Sequence, residues 1–172
     1  MQKSKEDTLT IRPVTSADAG ILTEIEAACF PPAEACPLEN FERRLAVFSE
    51  GFLILEKNGR PVGFIDGMVT DHPTISDDMF ADASMHNAKG CWQSIFGLAV
   101  RPEERRQGYA GMLIRAFIEK ARKEGRRGLI LTCKDHLVHY YASFGFVLGG
   151  VSASVHGGAK WNDMTLDFTR EQ

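Results

Sequence analysis

Apolar residues recur along the chain with two spacings, close to every second residue and close to every 3.6, and the spacings alternate, which predicts strands and helices in turn. Residues 9–14 read as a first strand. Thr15-Ser16-Ala17-Asp18 then offers a capping-box start for a helix carrying Ile21, Leu22, Ile25 and Ala28, ended by Phe30-Pro31-Pro32. Leu38, Phe41, Leu45 and Phe48 stand at helical spacing and predict a second helix over 38–48. Residues 52–56 and 61–69 flank Asn58-Gly59, a hairpin signal, and should pair antiparallel.

Between 70 and 90 the periodicity lapses into a long polar connection containing Asp71, Asp77, Asp78 and Asp82. An apolar strand-like run over 94–100 follows, and a third helical pattern carries Met112, Leu113, Ala116, Phe117 and Ala121. Residues 125–128 mark a stop, and 129–133 form a short apolar strand that would pair parallel with 94–100 across the intervening helix, as a right-handed crossover. Residues 137–144 read as a short helix, and 146–155 with 161–168 as a closing hairpin around Gly157-Gly158.

Composition bounds this picture to one compact domain over 1–172. At 44% hydrophobic and 25% charged residues the chain is ordinary for a globular enzyme and long enough to bury a full core. A formal net charge of −3 argues against a nucleic-acid binder. Cys29, Cys36, Cys91 and Cys133 form no C-x-x-C pair and suggest no metal, and no apolar run approaches the roughly 18 residues of a membrane span. Residues 1–8 are polar and charged, without a leader pattern. The expectation is a reduced, cytoplasmic protein that engages neither nucleic acid nor membrane.

The segment from Val100 to Gly111 carries the clearest chemistry. A strand feeds a basic, glycine-punctuated turn that opens a helix, and a helix N-terminus presents unpaired N–H groups and the positive end of its dipole. Gly108 and Gly111 permit close backbone approach, while Arg101, Arg105 and Arg106 add charge. A phosphate group is the ligand such a turn suits. Neither G-x-x-x-x-G-K-[ST] nor G-x-G-x-x-G is present.

What is present, Arg105-x-x-Gly108-x-Ala110, resembles the acetyl-CoA pyrophosphate loop of the GNAT family of N-acetyltransferases, written Q/R-x-x-G-x-G/A. Tyr141-Ala142-Ser143-Phe144-Gly145-Phe146 is similar to the family's Y-x-x-x-G-F signature, and the element order fits along most of the chain. The resemblance implies an α/β (α+β) fold: a mixed, mostly antiparallel central sheet with a splayed parallel strand pair and flanking helices. It implies acetyl-CoA as co-substrate, held by the backbone of Leu98, Ala99 and Val100 and by Arg105, Arg106, Gln107, Gly108, Tyr109, Ala110 and Gly111. Tyr141 becomes the acid for the departing thiolate, and the acceptor a small-molecule primary amine, arylalkylamine- or polyamine-like, in a monomer or homodimer.

Within the family the chain is most similar to the arylalkylamine N-acetyltransferase branch, through Cys36-Pro37-Leu38, Gly97-Leu98-Ala99-Val100 and Leu131-Thr132-Cys133-Lys134-Asp135. One departure matters. Animal members of that branch carry two histidines where this chain has Ser94 and Phe96, so their proton path does not transfer.

Acetyl transfer to nitrogen still needs one. An alkylammonium with a pKa of about 10 must lose a proton before it attacks a thioester, and a thiolate whose thiol has a pKa of about 8.5 leaves more readily with a donor beside it. His136 and His139 precede Tyr141, and Glu26, Asp66 and Asp135 could instead orient a water that takes the proton. The acidic run over 71–82 either attracts cationic substrates or is solvated loop charge. Three activities fit: a small-amine acetyltransferase, a peptide or protein N-acetyltransferase with an open cleft, and an acyl-CoA sensor without turnover. A closed pocket under 30–38 and 70–90 would mark the first.

Overall fold

The computed structural model describes residues 5–170, so the first half of the polar N-terminal stretch lies outside the described residues. Two sheets share the architecture. β1 (Leu9–Arg12), β2 (Phe52–Lys57), β3 (Arg60–Asp66) and β6 (Gly97–Val100) form an antiparallel sheet in that order. β4 (Val69–Thr70), β5 (Trp92–Ile95), β7 (Gly128–Cys133), β9 (Asn162–Asp167) and β8 (Val147–Val151) form the other, in which β5 and β7 alone are parallel neighbours. The mixed sheet, the parallel pair and the flanking helices are those the resemblance implies.

The helices sit where their apolar faces demand. α1 (Ala19–Cys29) follows the Thr15/Asp18 capping box and buries Leu22 and Ile25, while α2 (Leu38–Phe48) buries Phe41, Leu45 and Phe48 against the first sheet. Phe41 meets Phe64 of β3 edge-on, with ring centroids 5.7 Å apart. α4 (Tyr109–Lys123) lays Leu113, Ile114, Phe117 and Ala121 into a second cluster with Leu129 and Leu131 of β7. No helix among the described residues is long and apolar enough to cross a membrane.

Four segments differ from what the sequence predicts. The run over 94–100 is two strands, not one: it breaks at Phe96, and β5 stays in the second sheet while β6 joins the first. The strand expected over 61–69 likewise ends at Asp66, and Val69–Thr70 changes sheets. Such breaks come from competition between partners, which apolar periodicity does not encode. The polar connection over 70–90 holds a one-turn helix, α3 (Asp77–Ala81), which buries Met79, and its His86 is anchored by accepting the Val69 N–H (3.0 Å) and stacking on Phe48. The closing hairpin is shorter than expected, and a glycine turn at His156–Gly158 occupies the loop between β8 and β9. A short α5 (Val138–Ala142) carries Tyr141.

Candidate active site

The break at Phe96 creates the site. β5 and β7 run in register from Trp92↔Gly128 to Ile95↔Leu131. Asp66 is then opposed by two residues, because the Phe96 N–H donates to its carbonyl (2.7 Å) while Gly97 is its ladder partner. This bulge swings β6 toward β3, and β6 and β7 diverge. A cavity of about 160 Å³ opens between them, with residues 95–98 on one side and 131–133 on the other.

The exposed edge of β6 is chemically selective. Arg101 N–H bonds Val62 O (2.8 Å), which puts Ala99 in the hydrogen-bonded pair with Phe64 and turns the N–H and C=O of Leu98 and Val100 toward the wedge. The Val100 carbonyl is already taken there, by Cys29 Sγ at 3.2 Å and Arg105 Nε at 3.4 Å. Of the expected Leu98–Val100 trio, Ala99 is therefore committed to its own sheet, and Leu98 retains both backbone groups on the cavity side.

The basic turn has the form expected at an anion site. Gly108 caps α4 in the left-handed region (φ 80°, ψ 12°), and the first amide to find a carbonyl there is Met112, bonding Gly108 O at 3.1 Å. The preceding N–H groups, from Tyr109 to Gly111, point beyond the helix start. Tyr109 is buried and its hydroxyl donates to Gln107 Oε1 (2.9 Å), bracing the turn from beneath, with Ala110 half-buried behind it. Arg105 and Arg106 are exposed. Arg101 is not available to an anion: it is buried, with Nη1 on Glu24 (2.8 Å) and Nε on Pro61 O. Gly111 is buried too, and faces the Arg115 guanidinium and Phe144 ring.

Glu26 and Glu34 line the cavity, and Asp66 lies beneath it. Glu26, from α1, accepts the Cys36 N–H at Oε1 (3.2 Å), and its Oε2 has no partner among the described residues. Burial, reinforced by the charge of Asp66, pushes Glu26 up to about 7. Asp66 is fully buried and pushed up to about 6 by burial, against the opposing pull of Arg44, whose Nη1 lies 3.0 Å from its Oδ2. Arg44 is itself buried, held also by Phe80 O (2.8 Å) and lying over the Phe96 ring (4.9 Å). At the positions matching the histidine pair, Phe96 packs on Arg44, and Ser94 is buried, its hydroxyl donating to Met68 O (2.8 Å).

Of the other proton-transfer candidates, Asp135 is exposed and engaged by Asn162 Nδ2 (2.7 Å), and His136 and His139 are exposed and outside the cavity wall. Tyr141 does line it, buried edge-on against Phe146, and burial raises its phenol above the usual value. A histidine that the sequence reading missed, His156, is in the wall as well. Its Nε2 lies 2.9 Å from Glu34 O, and its ring stacks on Phe80. Only its place in a glycine turn hinted at a structural task.

The roof is built from three loops tied together. Asp77 accepts from Ser154 Oγ and from the Val155 N–H (3.0 Å), and His156 reaches Glu34. Phe30, Phe80 and Trp161 complete it, so 30–37 and 77–81 enclose the cavity as a small-molecule site requires, with 154–161 as an unforeseen third part.

Comparison with known proteins agrees with this geometry. The sequence pattern of the Acetyltransferase (GNAT) family matches residues 20–146. The chain is 30% identical over 150 residues to serotonin N-acetyltransferase of Mesocricetus auratus, covering 85% of this chain and 71% of that enzyme. In fold it is similar to the loading GNATL domain of CurA from Lyngbya majuscula (TM-score 0.81, 15% identity, 95% of this chain and 100% of that one). It is also similar to a GNAT family acetyltransferase from Brucella melitensis in complex with acetyl-CoA (TM-score 0.62, 20% identity, 96% and 91%).

Proposed function

Because the chain belongs to the acetyltransferase (GNAT) family, we propose that residues 1–172 act as one domain that transfers an acetyl group from acetyl-CoA to the primary amine of a small molecule, by direct attack in a ternary complex. The observation that carries this reading is the enclosed cavity at the β6/β7 splay, which joins a neutral-range carboxylate, an outward backbone N–H and a buried phenol in one chamber.

The roles follow from what each group can do. The turn from Arg105 to Gly111 holds the pyrophosphate on its amides, and the outward carbonyl of Leu98 and N–H of Val100 hold the pantetheine arm. The amine enters as an ammonium, and Glu26, poised near neutrality, accepts its proton. The free nitrogen attacks the thioester carbon while the Leu98 N–H stabilises the developing oxyanion. Collapse of that intermediate expels the thiolate, which takes the Tyr141 proton, and the proton still carried by the acylated nitrogen returns the phenolate to the neutral form that burial favours. Arg44 holds Asp66 as the charged neighbour that raises Glu26.

Enclosure supports a small acceptor over a polypeptide, since the roof loops are mutually hydrogen-bonded. The test is CoA release from acetyl-CoA by purified protein, against arylalkylamines, polyamines, aminoglycosides and peptides. Small primary amines should turn over and peptides should not; turnover confined to peptides, or none with any acceptor, overturns the reading.

A further inference from the structure

We propose that Glu34 and Lys134 form a specificity subsite in the roof of the acceptor cavity, which selects amines bearing a neutral hydrogen-bond donor, a hydroxyl or ring N–H, and rejects a second cation. The proposal rests on the amine-acetylation reading above and narrows it.

Glu34 is the roof's unsatisfied group. Its side chain is 7% exposed, Oε1 accepts from Lys134 Nζ at 2.7 Å, and Oε2 is buried without a hydrogen-bond partner among the described residues. A buried carboxylate oxygen lacking a donor is unfavourable, and it is retained where a ligand can supply one. The surroundings hold it in place. The Glu34 carbonyl can only accept, so His156 Nε2 is the donor in their 2.9 Å contact, and the Cα of Gly157 closes on the Glu34 side chain. Lys134 Nζ is further fixed over the Trp161 ring (5.6 Å), and His156 is stacked on Phe80 (4.8 Å). Phe30, Phe80, Phe96 and Trp161 line the same cavity as Glu34, flat apolar surfaces suited to a planar ligand body.

Charge decides between donors. Lys134 already compensates the Glu34 carboxylate at Oε1, so an ammonium brought to Oε2 would sit within a few ångströms of a like charge. An O–H or N–H donor offers the missing bond without that repulsion. A polyamine is therefore the wrong partner, and an aryl monoamine with a terminal donor the right one.

The test is a matched set of amines, phenethylamine, its 4-hydroxy analogue and its 4-aminomethyl analogue, each assayed for kcat/KM with acetyl-CoA. Wild-type protein should favour the hydroxyl compound over phenethylamine by about 10- to 100-fold, the range of a hydrogen bond to a charged group, and should disfavour the diamine. Glu34→Met should collapse the hydroxyl preference to within about threefold of unity. Lys134→Met, which leaves the carboxylate uncompensated, should raise the diamine-to-phenethylamine ratio about tenfold. Turnover of all three amines at equal efficiency by wild type, a hydroxyl preference that survives Glu34→Met, or a diamine ratio unmoved in Lys134→Met overturns the subsite while leaving the acetyltransferase reading intact. Absence of turnover with every amine overturns both.

Discussion

Glu26 and Asp66 meet at the Cα of Gly97: a methyl placed there would lie 2.8 Å from Asp66 Oδ1 and 3.7 Å from Glu26 Oε2. Any side chain at 97 would wedge the two acids apart. Burial places both above the ordinary carboxylate range, and the charge of Asp66 adds to the rise at Glu26, so that a proton is held into the neutral region. Arg44 limits the effect, bonding Asp66 directly and opposing the rise of Glu26 through its charge. The outcome is a carboxylate poised near neutral pH, the property that the proposed base for an ammonium requires in the absence of a histidine.

The pH dependence of kcat/KM should therefore rise through a limb near 7, set by the carboxylate pair rather than by the acceptor's own pKa of about 10. Two acceptors of different amine pKa should share that limb. In Glu26→Gln it should vanish, with kcat at pH 7 lowered by roughly 10²- to 10⁴-fold and residual rate tracking free amine. A limb that follows the acceptor, or persists in Glu26→Gln and disappears in His139→Gln, would reassign the base.

Stability should move the opposite way. Glu26 has a raised folded pKa, so the native state binds its proton more tightly than the unfolded chain, and this contribution is fully present below about 4.5 and lost as pH rises to about 7. Glu26→Gln removes the charge that burial penalises. Urea unfolding should show the variant gaining on wild type between pH 5 and 8, by up to about 3 kcal/mol. His86 acts on the acid side: burial lowers its pKa, so its contribution is present above 6.5 and lost as pH falls below that value. An unchanged difference between Glu26→Gln and wild type across pH 5–8 would mean that Glu26 is not buried as a charge.

Much of this architecture was legible because local signals and the final packing agree. α2 spans 38–48 as its apolar spacing predicts, and Asn58-Gly59 adopts the positive φ values (53° and 81°) of a tight hairpin. The turn around Gly108 was legible for the same reason. What escaped is long-range. The bulge at Phe96 exists because β3 and β7 compete for one apolar run, and nothing local in 94–100 announces it. Glu26 and Asp66 were named separately as candidates, but their contact across Gly97, and the burial of Arg101 against Glu24, depend on how α1 lies over the first sheet. His156 and Glu34 lie in turns, where no periodicity points inward.

The phosphate turn makes a sharper prediction at Gly108. Its left-handed conformation strains any β-branched residue, although a Cβ there meets no protein atom within 4 Å, so Gly108→Val should fold with a modest loss of stability. The added side chain projects where the pyrophosphate must approach. Calorimetric titration should show acetyl-CoA binding weakened at least about tenfold, with Gly108→Ala intermediate. Undiminished affinity in the folded valine variant would remove the turn from the cofactor site.

Tyr141 offers a test of the acid step that separates chemistry from packing. Its ring is buried edge-on against Tyr140 and Phe146, contacts that phenylalanine keeps, so Tyr141→Phe should leave the melting temperature and acetyl-CoA affinity nearly unchanged. Burial holds the hydroxyl protonated well beyond neutral pH, so a proton is available for the proposed donation to the departing sulfur. Without it, kcat should fall by roughly 10²- to 10⁴-fold. The deficit should also depend on the leaving group. A CoA thiolate, whose thiol has a pKa of about 8.5, gains from protonation, whereas an acetyl donor with a more acidic thiol leaves as a stable anion and needs no donor. If Tyr141 is the acid, replacing acetyl-CoA by such a donor should shrink the gap between variant and wild type. A gap of equal size with both donors would show that the hydroxyl positions substrate instead of donating a proton.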